Sequence, residues 1–234
     1  MIARPSGAAV LGRDQIWTVI GGERWRLAGL LGELTGHDWS QPSLCDGWTV
    51  RDVAAHLTLQ QLGPGEAIGM MIRYRGDTDR AIRERARQRA GTWPTSKIIA
   101  NIRAMAGSRR HNFGVTDRET LIDILVHAQD IAIPLSQPYP TPPAAAAAAA
   151  TRMWTMRWPP PFPARRAMER FRVTATDVEW SAGHGPRVDA PIGAIMLLSA
   201  GRLAALPQVT GPGAAELTAA LTRQAGKIKS RSAS

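Results

Sequence analysis

The stretch ETLIDILVHAQDIAIPL, residues 119–135, decides the fold. Read as a helix at about 100° per residue, it is apolar over most of its circumference. Leu121, Ile122, Ile124, Leu125, Val126, Ala128, Ile131 and Ala132 occupy that surface. Asp123, His127 and Asp130 follow at spacings of four and three, so they share one narrow wedge with Thr120 at its edge. An ordinary surface helix gives about half its girth to water. The narrowness of the wedge predicts a central helix whose polar groups face an internal site, where carboxylates and imidazoles are costly unless paired or bound to a metal. Periodicity alone equally allows a surface helix with a thin wet edge.

Working outward, residues 13–35 place Ile16, Val19, Ile20, Leu27, Leu30, Leu31 and Leu34 at helical spacing, despite the Gly21-Gly22 pair, and this helix ends near Gly36. A loop rich in Trp, Pro, Ser and Gly covers 37–48. Thr49 opens a second helix, TVRDVAAHLTLQQL, with Asp52 three residues on as a variant capping box. Gly63-Pro64-Gly65 breaks it. Residues 66–90 read as a basic, helical or loosely helical segment, and Pro94 opens a third core helix carrying Ile98, Ile99, Ile102 and Met105. After the Pro138–Pro143 turn, Ala144 to Ala150 favours a further helix reaching about Trp158, since alanine is the best helix former. These apolar-faced helices most simply make a four-helix bundle over residues 1–158.

The run Trp158-Pro159-Pro160-Pro161-Phe162-Pro163 suits neither helix nor central strand, and marks the expected boundary. Residues 159–234 then read as a small α+β lobe: a strand in RFRVTATDVEW, a turn at Gly183–Gly185, a second strand at Arg187–Ala190, helices at 191–200 and 213–225, and a disordered tail. The expected fold class is mainly α, a helical bundle followed by this lobe.

Composition narrows the function classes. With 44% hydrophobic and 21% charged residues, the chain is that of a soluble globular protein. The N-terminal MIARPSGAAVLGRDQ lacks the apolar run of a signal peptide, and no stretch approaches the length of a membrane span. The single cysteine, Cys45, excludes an internal disulfide framework and fits a reducing cytoplasm. A net charge of +10 raises nucleic-acid binding as one reading, with Arg73 to Arg89 as its surface. The acids interleaved there, Asp77, Asp79 and Glu84, argue for a solvated helical face instead.

His56 lies on the second helix, flanked by Val53, Leu57 and Leu59. If that helix lies beside the central one, His56, Asp123 and His127 form a two-nitrogen, one-oxygen set suited to zinc or another divalent cation. Three protein ligands leave a coordination position open, as catalytic metal sites do. Asp52 can orient His56 or simply cap its helix, and Cys45 is either a fourth ligand or a buried structural thiol. His37, His111 and His184 sit in loops without partners at useful spacing, and the chain carries no G-x-S-x-G, P-loop or dinucleotide fingerprint.

The order DW-x-x-PS-x-C-x-GW-x-V-x-DV-x-AHL (Asp38 to Leu57), then L-x-D-x-L-V-H-A-Q-D-I-A-x-P-L (Leu121 to Leu135), resembles the mycothiol-dependent maleylpyruvate isomerase family of actinobacteria, within the DinB-like superfamily of metal-binding bundles. AGRLAAL-x-x-V-x-GPGAAEL (Ala200 to Leu217) is similar to the end of that family's sterol-carrier-like C-terminal domain, here abridged. The resemblance implies a divalent metal, commonly zinc, on His56, Asp123 and His127, with Asp123 standing where the family's isomerase has a longer Glu. It also implies mycothiol as a metal-bound thiolate that attacks a small electrophile, making the chain an S-transferase or isomerase. A basic residue of the C-terminal domain is implied near the site, for which Arg202 is the candidate. Asp130 is either an orienting partner of a ligand or thiol, or a polar helix end. A non-catalytic module that holds metal or a small ligand is the alternative to the enzyme.

Overall fold

The structure, a computed structural model, describes residues 5–7, 11–63, 65, 69, 73–74, 77–112, 114–157 and 162–232. It divides into two compact units, one of residues 12–140 and one of residues 1–11 with 141–234.

In the first unit, α1 (Arg13–Glu33), α3 (Val50–Leu57), α5 (Thr95–Ala104) and α6 (Asp117–Ala132) form a ring: α1 and α3 each pack against both α5 and α6. The short α2 (Gly36–Ser40) leads into α3, and α4 (Thr78–Thr92) lies along α3. Each start is set locally. Thr49 accepts from the Asp52 backbone N–H while the Asp52 carboxylate accepts from Thr49 N at 2.9 Å, and Thr116 and Glu119 repeat the exchange at the head of α6. The apolar stripes meet inside the ring, where Ile20, Leu27, Leu31, Val53, Leu57, Ile98, Ile102, Leu121, Ile124 and Leu125 are all buried.

Helix α6 is the centre of this unit. From Thr120 to Ala132 every residue is buried except Asp123 and His127, which are half-buried. That pattern rules out the surface-helix alternative. The glycine pair inside α1 also has a packing reason, because a Cβ at Gly21 would stand 2.6 Å from the Ala106 carbonyl oxygen. Glycine there lets α1 meet the end of α5 without a side chain between them.

The second unit carries a three-stranded mixed sheet of order β2-β1-β3, from β1 (Arg172–Ala175), β2 (Ser181–Ala182) and β3 (Arg187–Ala190). β1 pairs antiparallel with β2 (Val173 opposite Ala182) and parallel with β3 (Val173 opposite Val188). Ser6 adds an isolated bridge to Ser181. Around the sheet stand α7 (Pro143–Thr155), α8 (Pro163–Met168), α9 (Ile192–Ser199), a 3-10 turn (Leu203–Gln208) and α10 (Ala214–Ser232). The strand expected over RFRVTATDVEW stops at Ala175 because the Asp177 carboxylate accepts from Ile192 N at 2.8 Å, tying that loop to the head of α9.

Two expectations are revised. The division falls between Pro140 and Thr141, not at 158, because the alanine helix α7 packs on α9 in the second unit and Trp154 Nε1 donates to Ser199 Oγ at 3.1 Å. A stripe of methyl groups packs closely on any apolar face, so sequence alone assigned it to the wrong core. The four helices of the ring are complete without it. The expected tail at Lys227–Arg231 continues as helix to Ser232. Residues 158–161 of the proline run, and much of 64–76 in the basic segment, lie outside the described residues.

Ile124, with no exposed surface on the inner face of α6, gives a direct test of this packing. Ile124→Ala is expected to cost about 2–5 kcal/mol of stability by denaturant unfolding. A shift inside experimental error would place α6 outside the core.

Candidate metal centre

Three side chains of the ring converge on one carboxylate oxygen. His56, in the last turn of α3, places Nε2 at 3.2 Å from Asp123 Oδ1, and His127, one turn along α6, places its Nε2 at 3.3 Å from the same oxygen. The imidazoles meet edge to face with centroids 4.7 Å apart. Trp48 tilts over His56 at 5.4 Å, walling that side. His56 Nδ1 is buried with no hydrogen-bond partner among the described residues.

The other ring nitrogen of His127 faces a second carboxylate. Asp130, fully buried, accepts at Oδ2 from His127 Nδ1 at 2.8 Å and from the Cys45 thiol at 3.1 Å. Cys45 Sγ is also 3.6 Å from His127 Nδ1. The loop delivers Cys45 there through its backbone. Gly47 turns the chain at φ +72°, Trp48 N–H bonds back to Cys45, and Leu44 N–H donates to the Asp130 carbonyl at 3.1 Å.

Behind Asp123 stands a third layer. Gln60, in the turn after α3, donates from Nε2 to Asp123 Oδ2 at 2.7 Å. Its Oε1 accepts from Arg24 of α1 at 2.9 and 3.3 Å, and the Arg24 guanidinium also donates to the Met105 and Ser108 carbonyls. Arg24 is wholly buried, and burial lowers its pKa to about 10 against the attraction of Asp123, so it keeps its charge at neutral pH.

Two sets of groups have the donor types and closeness to hold a metal: His56, Asp123 and His127, and Cys45, His127 and Asp130. Distances separate them. A tetrahedral zinc bound by imidazole nitrogen and carboxylate oxygen sets donor–donor edges of about 3.3–3.5 Å. The 3.2 and 3.3 Å edges to Asp123 Oδ1 lie close to that geometry, and the 3.2 Å contact is also a hydrogen bond. A zinc held by Sγ, Nδ1 and Oδ2 needs edges of about 3.4–3.6 Å, whereas Asp130 sits 2.8 and 3.1 Å from its partners. Those are hydrogen-bond distances. Both sets are candidate metal-ligand groups, and in the second Asp130 accepts hydrogen bonds from His127 and Cys45.

Burial pushes Asp123 upward, but the two imidazoles outweigh it and hold the carboxyl well below its usual range. Burial pulls His127 down, yet the charge and hydrogen bond of Asp123, then the bonds to Asp130 and Cys45, raise it well above 6.5. A divalent cation entering the triad displaces that proton, so metal affinity must weaken as pH falls.

Asp123, His127, His56, Asp130 and Cys45 are brought together, with the Cys45 thiol donating to Asp130. Asp52 caps α3 and points its bonded oxygen at Thr49. Arg202 belongs to the other unit, where its Nη1 donates to the Ala200 carbonyl. His37 bonds Gln41, and His111 stacks on Trp17. Arginines of α4 serve as ties: Arg87 to the Gly47 carbonyl, Arg89 to Thr58, and Arg80 to Glu84. Gln60 and Arg24 were missed. The one available signal was Gln60 standing one turn beyond His56, on the same face.

This is a helical unit that presents a His–Asp–His cluster with metal-ligand geometry. Residues 21–64, which include Arg24, Cys45, His56 and Gln60, match the family model described as the mycothiol maleylpyruvate isomerase N-terminal domain. No curated protein and no solved structure matches the chain.

In the metal-free protein, the stabilisation from raising His127 is fully present below pH 6.5 and is lost as pH rises through the elevated native value. That from Asp123 is present above pH 3.8 and is lost as pH falls through its depressed value. Imidazole NMR of metal-free protein should therefore show His127 titrating above 6.5, and Asp123→Asn should bring it down. A wild-type midpoint at or below 6.5 would contradict the pairing.

Proposed function

We propose that the protein is a divalent-metal-dependent enzyme that uses a low-molecular-weight thiol, mycothiol, in S-transfer or isomerisation of a small electrophile. The observation that carries this is the shared contact of Asp123 Oδ1 with both His Nε2 atoms at tetrahedral-edge spacing. The family match over residues 21–64 supplies the thiol and the reaction class. On this reading the ring of α1, α3, α5 and α6 is a DinB-like bundle, and the unit with the small sheet is an abridged sterol-carrier-like lobe. A reducing cytoplasm suits the lone thiol of Cys45.

Zinc is the proposed ion: with three protein ligands it keeps a position open and lowers the pKa of a thiol or water placed there. The residues of the chain do the rest. His56 and His127 present Nε2, and Asp123 presents Oδ1 between them. Asp130 accepts the proton on His127 Nδ1, which fixes the tautomer and aims Nε2 at the metal position. Trp48 keeps an apolar wall beside His56, which limits water and favours the thiolate-binding position.

The reading predicts about one equivalent of zinc in purified protein by elemental mass spectrometry, lost in His56→Ala and in His127→Ala. Zinc-loaded wild type should consume mycothiol in the presence of a small electrophile, and both variants should fail to. Absence of metal after reconstitution would overturn the proposal. Tight zinc without thiol consumption would leave a metal-binding module in place of an enzyme.

A further inference from the structure

The hydrogen bonds behind Asp123 form a fixed chain of donors. Arg24 is donor-only and Asp123, held ionised, is acceptor-only. An amide between them has one satisfactory orientation: Gln60 Oε1 toward the guanidinium and Nε2 toward the carboxylate. The side chain of Gln60 is therefore locked by chemistry as well as by burial, and so is the oxygen it holds. With one lone pair of Oδ2 taken up at 2.7 Å, Oδ1 is the oxygen that Asp123 turns toward both His56 and His127.

We propose that Gln60, clamped by the buried Arg24, is a positioning residue that holds Asp123 to one-oxygen coordination and so selects a four-coordinate ion such as zinc. This rests on the metal reading of His56, Asp123 and His127. A free carboxylate can chelate through both oxygens, which suits larger, oxygen-seeking cations of higher coordination number. A hydrogen bond that fixes the direction of Oδ2 disfavours its use as a second ligand oxygen and so favours an open position for an exogenous ligand. Gln60 also works as a spacer. It keeps the Arg24 guanidinium out of direct contact with Asp123 while passing on its polarisation, so a cation is not displaced by an internal ion pair. In a chain whose ligand is the short Asp, a clamped carboxylate makes up for reach with direction.

The test uses full-length protein and metal ions alone. Zinc affinity by chelator competition, zinc-over-manganese preference and the visible spectrum of the cobalt-substituted protein are compared for wild type, Gln60→Met and Gln60→Met in an Asp123→Ala background. Gln60→Met should weaken zinc about 10–100-fold, move the preference toward manganese and shift the cobalt spectrum from four- toward five-coordinate. In the Asp123→Ala background the same replacement should change nothing further.

If Gln60→Met leaves Arg24 too poorly satisfied to fold, Gln60→Met with Arg24→Met removes both partners together and carries the same comparison. Folded Gln60 variants with wild-type zinc affinity and an unchanged cobalt spectrum would overturn the proposal. So would an equal loss with and without Asp123, which is what a purely structural role predicts. If His127→Ala loses zinc and the Gln60 variants do not, the positioning role alone falls. If wild type binds no zinc, both fall together.

Discussion

One half-buried carboxylate organises the first unit. Asp123 stands on the central helix with an imidazole from its own helix on one side and an imidazole from α3 on the other, both addressed to the same oxygen. Unpaired, an ionised carboxylate in this position would cost several kcal/mol. The surrounding structure meets that cost by supplying partners from three helices. α6 brings His127 one turn on, α3 brings His56 and, through its following turn, Gln60, and α1 brings the guanidinium that orients Gln60. The register of α1 and α3 against α6 is thereby tied to polar contacts as well as to apolar packing.

His127 works in two directions. Its Nε2 faces Asp123 and its Nδ1 faces Asp130, which also accepts a hydrogen bond from the Cys45 thiol. Because Leu44 bonds the Asp130 carbonyl, the loop before α3 is fastened to the far end of α6 at the same place. The loop, the cap of α3 and the tautomer of His127 therefore depend on one another. A change at Cys45 or Asp130 reaches His127 through the hydrogen bonds on its Nδ1 side.

Much of this was legible in the chain. The capping exchanges at Thr49–Asp52 and Thr116–Glu119 are local, and local chemistry reads directly from sequence. The four-residue step from Asp123 to His127 placed both on one face, and the narrow polar wedge of α6 announced a buried site. His56 needed one further assumption, that α3 lies beside α6, which the apolar stripes supported. What escaped were groups defined only by the closed fold. Arg24 sits in Glu23-Arg24-Trp25-Arg26, where nothing separates a buried arginine from an exposed one. Its acceptors lie 36 to 84 residues away. The alanine helix failed for the opposite reason: seven methyl side chains define no distinctive face, and its partner was decided by α9, whose IGAIMLLS is equally apolar.

The central claim is that nitrogen and oxygen donors from His56, His127 and Asp123 form the metal's coordination sphere while the Cys45 sulfur stays on Asp130. X-ray absorption at the zinc edge of the loaded protein, without added thiol, tests this most directly. The account predicts a shell of nitrogen and oxygen at about 2.0–2.2 Å with no sulfur. A sulfur scatterer at about 2.3 Å in that sample would contradict it, moving the metal to Cys45, His127 and Asp130.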